Sequence, residues 1–424
     1  YSGVNEVKDA AGGTTGFAYN FNARTTTVTN PRARATTYTT NDYGSVVSIA
    51  DPVGTTTMTW AADDVVMTSK TDARNVRTDY TYDTDGNLLT ETVGGITTRN
   101  TYEVFASRPI KNRIKTKTDR NGNTTTFYYD GKGNLLRVVD PEGGETRHTY
   151  SANGDRVETR DPNGNTSRFT YDERGYVETT VDALGGSTRT GWNDRGQPLE
   201  VTDPLGRKTT LEYDTLDRLT RKTDALNGRR SYTYDTIGNK LSETDEESRT
   251  TTWTYDRENR VKTIRDALNN TKTFGYDLAG NKTSETDWKN VATSFEYDAV
   301  DRLIRRSEPL GKITQFGYDP VGNVLTETDA LNRVTRHAYD DLNRRTRSTD
   351  ALNGVREFGY DGVGNKTSEK DPLNRVVSFA YDRLNRVLTK TEPLVRVPKY
   401  RYAANGNRIE EIDPLTRSRL FAYD

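Results

Sequence analysis

Residues 318–339 read YDPVGNVLTETDALNRVTRHAY. Two clusters of turn-forming residues stand out, Asp319-Pro320-Val321-Gly322-Asn323 and Asp329-Ala330-Leu331-Asn332. Between them, Val324 to Thr328 is a short β-prone run, and Val334 to Tyr339 returns as a second one. Two turns of four or five residues leave about six residues per strand, close to the usual strand length. The stretch therefore predicts a β-hairpin with a turn at each end, and Tyr339 begins the next copy.

That copy recurs along the chain. Tyr-Asp stands at Tyr171, Tyr213, Tyr234, Tyr255, Tyr276, Tyr297, Tyr318, Tyr339, Tyr360, Tyr381 and Tyr423, in steps of 21 or twice 21. Trp192 and Tyr402 fill the double steps in phase, and Tyr150 and Tyr129 extend the register backwards. Nearer the N-terminus the ruler loosens. Tyr19, Tyr38, Trp60, Tyr82 and Tyr102 are spaced 19 to 22 apart, and an insertion of roughly six residues falls around Glu103 to Lys111. Residues 1–424 thus read as a single array of about twenty units, irregular over 1–128 and strict over 129–424, with no internal domain boundary. A 42-residue period is superposed. The turn after Tyr-Asp carries Gly-Asn at Gly238, Gly280, Gly322, Gly364 and Gly406, and Asn-Arg or Asp-Arg at Asn259, Asp301, Asn343 and Asn385.

Composition narrows the possibilities. Of 424 residues, 31% are hydrophobic and 29% charged, and the formal net charge is −1. Mean hydropathy is −0.92. Low hydrophobicity alone points to disorder, but disordered chains usually pair it with high net charge and few aromatics. Here charge balances, and 25 Tyr, 11 Phe and 4 Trp fall on the repeat. No apolar run of about 18 residues exists, so no membrane-spanning helix is expected. Zero Cys excludes disulfides, thiolate metal sites and a cysteine nucleophile. Balanced charge gives no electrostatic footprint for nucleic acid. No segment keeps a 3.6-residue apolar period, so helices are not expected.

The return strands carry aromatics two apart, such as Phe274 and Tyr276, Phe295 and Tyr297, Phe316 and Tyr318, Phe358 and Tyr360, and Phe379 and Tyr381. Residues two apart share a strand face, so stacking in register predicts two parallel aromatic rows. Leu136, Leu241, Leu325 and Leu388 occupy one position of the outgoing strand. Leu226, Leu268, Leu331, Leu352 and Leu373 occupy one of the second turn. The expectation is a thin sheet stabilised by cross-strand ladders rather than by a thick core.

Candidate sites are few. The recurrent Asp residues read as turn caps, which bond their own following backbone, because a catalytic carboxylate would be singular. His148 and His337 are far apart in sequence, and His337 stands where its neighbours have Phe or Tyr; it reads as a member of the aromatic row. Asp83-Thr84-Asp85-Gly86-Asn87 and Asp119-Arg120-Asn121-Gly122-Asn123 offer alternating oxygen ligands but lack the terminal Glu of a full calcium loop, and read as ordinary turns. Glycosylation-type triplets at Asn123, Asn165, Asn269, Asn281 and Asn365 read as exposed turns. Aromatic strands bearing Asn, Asp and Arg could stack sugar rings, although equal recurrence in every unit favours packing. Arginines of the alternating turns are expected to pair with Glu or Asp of adjacent units. No catalytic, cofactor-binding or metal site is assigned.

These residues, Tyr-Asp, then Gly-Asn or Asn-Arg, then Thr-Asp, then an aromatic two before the next Tyr-Asp, resemble the YD-repeat or Rhs-repeat family. The resemblance covers essentially the whole chain and is strongest from Tyr129 onward. The family includes bacterial Rhs and wall-associated toxin carriers, Tc-toxin shell components and animal teneurins. It implies an all-β fold in which tandem hairpins form one long spiralling antiparallel sheet, a hollow shell or tube. It also implies a non-enzymatic secreted or surface protein that encloses or delivers a toxin domain of the same parent. An extracellular adhesin or self-associating filament subunit built from the same repeats is the alternative. The Asp-Pro-x-Gly boxes at Asp51, Asp140, Asp161 and Asp203 sit at regular second turns, so the self-cleaving segment that closes complete members is not found. The start at Tyr1 and the stop at Tyr423-Asp424 read as a segment of a longer array. At about 4.8 Å per strand, forty strands would run on the order of 190 Å, about one circuit of a shell about 60 Å across.

Overall fold

The computed structural model describes residues 4–103, 113–394 and 396–423. Tyr1, Asp424 and most of the expected insertion near Glu103 to Lys111 lie outside them. The chain divides into two compact units, one of residues 1–81 with 230–355, the other of 82–229 with 356–424. Both are built alike.

Forty short strands are found among the described residues, and the only helical element is the three-residue turn Pro309–Gly311. Within each unit every strand pairs antiparallel with the strand before and after it in sequence. In the first unit, Thr271–Tyr276 sets Thr273 opposite Thr263 of Val261–Arg265 and Tyr276 opposite Lys282 of Lys282–Thr286. In the second, Val376–Tyr381 does the same with Lys366–Lys370 and Val387–Thr391. The all-β class and the tandem hairpins expected from the sequence are thus what the structure has. The register slips by one residue before the repeat tyrosine, as at Gly275/Tyr276 and Ala380/Tyr381. Such a bulge re-aims the side chain and increases local twist.

The loosened N-terminal ruler has a local cause. Hairpins continue there, but turn lengths differ. Asp51 pairs directly with Gly54, Gly94 and Gly95 take positive φ in a two-residue turn, and Ala61 N–H reaches the Val66 carbonyl across a longer one. Spacing changes in the turns leave the ladder intact.

The sheet is thin. Val93 is the one buried hydrophobic side chain among the described residues. Strand faces alternate, as in Ala292–Tyr297, where Thr293, Phe295 and Tyr297 are half-buried and the residues between them exposed. Phe and Tyr two apart do share a face, but the inner rings Phe274 and Phe295 of successive repeats are bridged by a cation rather than stacked on each other. A full strand lies between them, so they stand about 10 Å apart, beyond the roughly 4.5–7 Å at which rings interact. Cations fill the gap. Lys282 Nζ lies 5.8 Å from the Phe274 ring centre and 4.9 Å from that of Phe295, and Lys240 lies between Tyr232 and Trp253. The expected stacked aromatic rows are therefore aromatic–cation rows, each contact contributing about 0.5–1 kcal/mol at such exposed sites.

The second turn at Glu308 also departs from the usual form. Glu308 stands where most units have Asp, the turn tightens, and Leu310 is driven to φ 63° while 96% exposed. A β-carbon in the left-handed region costs about 1–2 kcal/mol, and here no buried contact repays it. Leu310→Gly is expected to raise stability by about 1 kcal/mol, measured as a higher denaturation midpoint; an unchanged or lower midpoint would contradict the strain argument.

Candidate functional site in the turn rows

Most hairpin ends are closed by the same five-residue motif. In Asp329 to Arg333, the Asp329 N–H donates to the Arg333 carbonyl, and the Asn332 N–H donates back to the Asp329 carbonyl. The Asp329 Oδ1 accepts from the N–H of Leu331 and of Arg333, both at 2.9–3.0 Å. The fourth residue must adopt positive φ, which Gly, Asn and Asp tolerate: Asn332 at 57°, Gly322 at 100°, Asp301 at 65°. The recurrent Asp residues are thus turn caps, as the sequence indicated. Asp83 and Asp119, the acidic heads of the calcium-like fragments, are used the same way. Each accepts from two backbone N–H groups and from the Asn four residues on. No cluster of three or more metal-ligating side chains occurs among the described residues.

The 42-residue alternation is a forward-linking device. In glycine-bearing turns, the fifth-position Asn323 donates through Nδ2 to its own Asp319 and to Oδ1 of Asn343 in the arginine-bearing turn that follows. In arginine-bearing turns, Arg302 donates through Nε to its own Asp298 and through its terminal nitrogen to the Asp319 carbonyl of the next, with its guanidinium over the Tyr318 ring. Arg260 repeats the arrangement with Asp256, Asp277 and Tyr276. These arginines pair with the carboxylate of their own turn and reach the neighbour by its backbone, which corrects the expected pairing with acidic side chains of adjacent units. The reason is reach: the planar fork can satisfy its own cap and still present a second edge forward.

The repeat tyrosine also has a specific task. Tyr276, Tyr297 and Tyr318 donate through the hydroxyl to the carbonyls of Val261, Lys282 and Leu303, each 15 residues earlier. Trp60 and Trp192 donate indole N–H to Val46 and Val177 in the same way. The position therefore selects an aromatic with a donor, which Phe lacks. Tyr318→Phe is expected to cost about 1 kcal/mol, read from denaturant unfolding; no change would mean the tie contributes nothing. His148 and His337 occupy the inner aromatic position instead, opposite Thr159 and Ser348. Burial holds both imidazoles below the usual histidine range.

A feature the sequence did not announce lies along the turn rows. In each unit, the third residue of an early second turn meets a first turn of a much later repeat. In the first unit, Arg32 ion-pairs with Asp301 and donates to the Tyr297 carbonyl. Arg74 donates to the carbonyls of Asp340 and Asp341 and sits 3.8 Å from the buried Asp319 carboxylate. In the second unit, Asn121 donates to Asp361 at 2.9 Å, the Arg383 N–H donates to Glu142, and the Asn405 N–H donates to Asn163. The separations in the second unit are 240 to 242 residues, roughly eleven and a half repeats. The half-integer is what places a second turn on a first turn. Two stretches of each unit thus lie edge on edge along a polar seam.

No helix among the described residues is long and apolar enough to cross a membrane. No curated protein is matched by the sequence. The crystal structure of TcdB2-TccC3 is similar in fold, with a TM-score of 0.73 and 15% identity over 99% of this chain. That of TcdB2-TccC3-Cdc42 gives 0.61 and 15% over 94%. The chain spans 28% and 23% of the length of those two structures. The RHS Repeat pattern matches eight stretches, 111–145, 150–187, 192–227, 213–250, 255–292, 297–334, 318–355 and 360–394. With more than half of its length so matched, the chain belongs to the RHS-repeat family.

Proposed function

We propose that this array is a non-enzymatic wall segment of a secreted or surface-exposed shell that encloses or delivers a toxin domain of the same parent protein. The observation that carries the reading is the seam. A sheet whose turn rows return onto each other edge to edge, without consuming its faces, can build a continuous wall from a single strand order. Chemistry of the turns supports a passive role, since the recurrent carboxylates spend their acceptor capacity on capping. So does the thinness of the sheet among the described residues, where each repeat is stabilised chiefly by its neighbours. Membership of the RHS-repeat family and the fold likeness to TcdB2-TccC3 are consistent with this assignment. Electron microscopy of the intact protein tests it. Closed or curved hollow particles are expected; long fibres with no enclosed space would replace the shell with the filament alternative.

A further inference from the structure

The cap carboxylates of the two kinds of first turn are used differently. In arginine-bearing turns, Oδ2 of Asp256, Asp298, Asp340 and Asp382 is held at 2.6–2.7 Å by Nε of the arginine four residues on. In glycine-bearing turns that oxygen meets the neutral amide of the fifth-position asparagine, as at Asp277, Asp319 and Asp361. Each of these three carboxylates has a further partner, and it comes from across the seam. Arg32 Nε lies 3.5 Å from Asp277, Arg74 Nε lies 3.8 Å from Asp319, and Asn121 Nδ2 lies 2.9 Å from Asp361.

The seam residues alternate in step with the turns they meet. Arg32 and Arg74 are 42 residues apart, as are Asp277 and Asp319, so each arginine reaches a glycine-bearing turn. Toward the arginine-bearing turns that follow, the same two arginines use Asp301 and the Tyr297, Asp340 and Asp341 carbonyls rather than a cap carboxylate. In the second unit Asn121 and Asn163, again 42 apart, meet glycine-bearing turns at Asp361 and Asn405. Opposite arginine-bearing turns the third position is not basic. The Ala11 N–H donates to Glu258, and Glu142 accepts from the Arg383 N–H.

We infer that the 42-residue alternation is a register code for the seam: Arg32 and Arg74 select glycine-bearing turns because the cap carboxylate there is not held by an arginine of its own turn. A displacement by one repeat would lay Arg32 beside Asp298 with its Arg302, or beside Asp256 with its Arg260, and set two guanidiniums against each other. Both seam arginines are mostly buried, with 19% and 15% of the side chain exposed, so solvent screens that repulsion poorly. A displacement by two repeats restores the match. The code therefore rejects odd displacements, and it does so by repulsion as well as attraction. It rests on the seam that carries the wall reading and adds what aligns one stretch of the wall with the other.

A short bifunctional thiol reagent reads the register, because the chain has no cysteine of its own. Ala11→Cys with Glu258→Cys reports the native register, in which the Ala11 N–H donates to Glu258 at 2.5 Å. Ala11→Cys with Ala279→Cys, one repeat further on, reports a slip. In the folded chain the first pair should be joined and the second not; the reverse would overturn the code. Adding Asn281→Arg and Asn323→Arg, which makes both turns arginine-bearing, should cut the first product about tenfold. Changing Arg32→Glu and Arg74→Glu as well should restore it, as Glu142 already faces an arginine-bearing turn. An unchanged yield in the first variant, or a loss that the second does not reverse, would overturn the code. If the first variant fails to fold, Arg32→Glu with Arg74→Glu alone should lose the product by a similar factor, and no loss would be equally fatal. Fibres that keep the native product would refute the shell and leave the code; hollow particles whose register ignores these charges would refute the code alone.

Discussion

Acidification is expected to unfold the array steeply below about pH 4. The caps are the reason. The Arg333 side chain and backbone N–H hold the Asp329 carboxyl below its ordinary value of 3.8, and Arg218 and Arg375 do the same for Asp214 and Asp371. The Asn270 side chain acts likewise on Asp266. A group with a depressed folded pKa stabilises the protein above its unfolded pKa and loses that contribution as pH falls through the folded value. Each loss is small at such exposed turns, but the same cap closes most hairpin ends, so the losses coincide. A shallower decline should begin earlier. Burial lowers the pKa of His148 and His337 in the folded chain, so below the ordinary 6.5 the unfolded chain binds more protons and unfolding is favoured. Melting temperature followed from pH 8 to pH 3 should therefore fall gently below about 6.5 and sharply below about 4. A melting temperature that stays level or rises across the lower interval would contradict the assignment of the aspartates as structural caps.

Gly362→Val is the single substitution expected to damage the seam most. A β-carbon on Gly362 would lie 2.6 Å from the Arg120 carbonyl oxygen and 2.9 Å from Asn121 Oδ1, and the nearest obstacle is backbone and cannot swing aside. The cost should be about 2 kcal/mol, in the range for overpacking a fitted contact, with faster hydrogen exchange in the turn 119–123. Gly131 provides the matched control. It holds the same second position of a first turn, but a β-carbon there would meet nothing within 4 Å. Gly131→Val should change stability by less than about 0.5 kcal/mol. Equal effects of the two would mean that the glycines matter for turn conformation and not for the meeting of edges.

Much of this architecture is written in the 21-residue period because it depends on neighbours in sequence. Tyr318 to Tyr339 contains both turns, both strands and the caps, and a meander needs nothing more distant. The capping role of Asp329 follows from its repetition. Two expectations fail for a reason of distance. Phe274 and Phe295 fall in register but are separated by a whole strand, so Lys282 intervenes. Repeat spacing points Arg302 toward an acidic neighbour, yet its own Asp298 lies closer. The seam is illegible because it depends on how many strands pass before an edge returns, which is set by accumulated twist and not by any local pattern. A trace exists nonetheless, in the change from Arg74, Asn121 and Glu142 to leucine at the third turn position. The tyrosine tie leaves one too, since Trp60 and Trp192 replace Tyr where Phe never does in the regular units.

The central claim is that one stretch of repeats lies edge on edge with another about eleven and a half repeats later. Glu142→Cys combined with Arg383→Cys tests it directly, because the Arg383 N–H donates to the Glu142 carboxylate at 2.9 Å and neither side chain caps a turn. In dilute, folded protein with no other thiol, a short bifunctional thiol reagent should join the two within one chain. The product should run as a looped monomer and yield a single crosslinked peptide pair by mass spectrometry. Recovery of the two peptides unlinked, or linked only between separate molecules, would contradict the account.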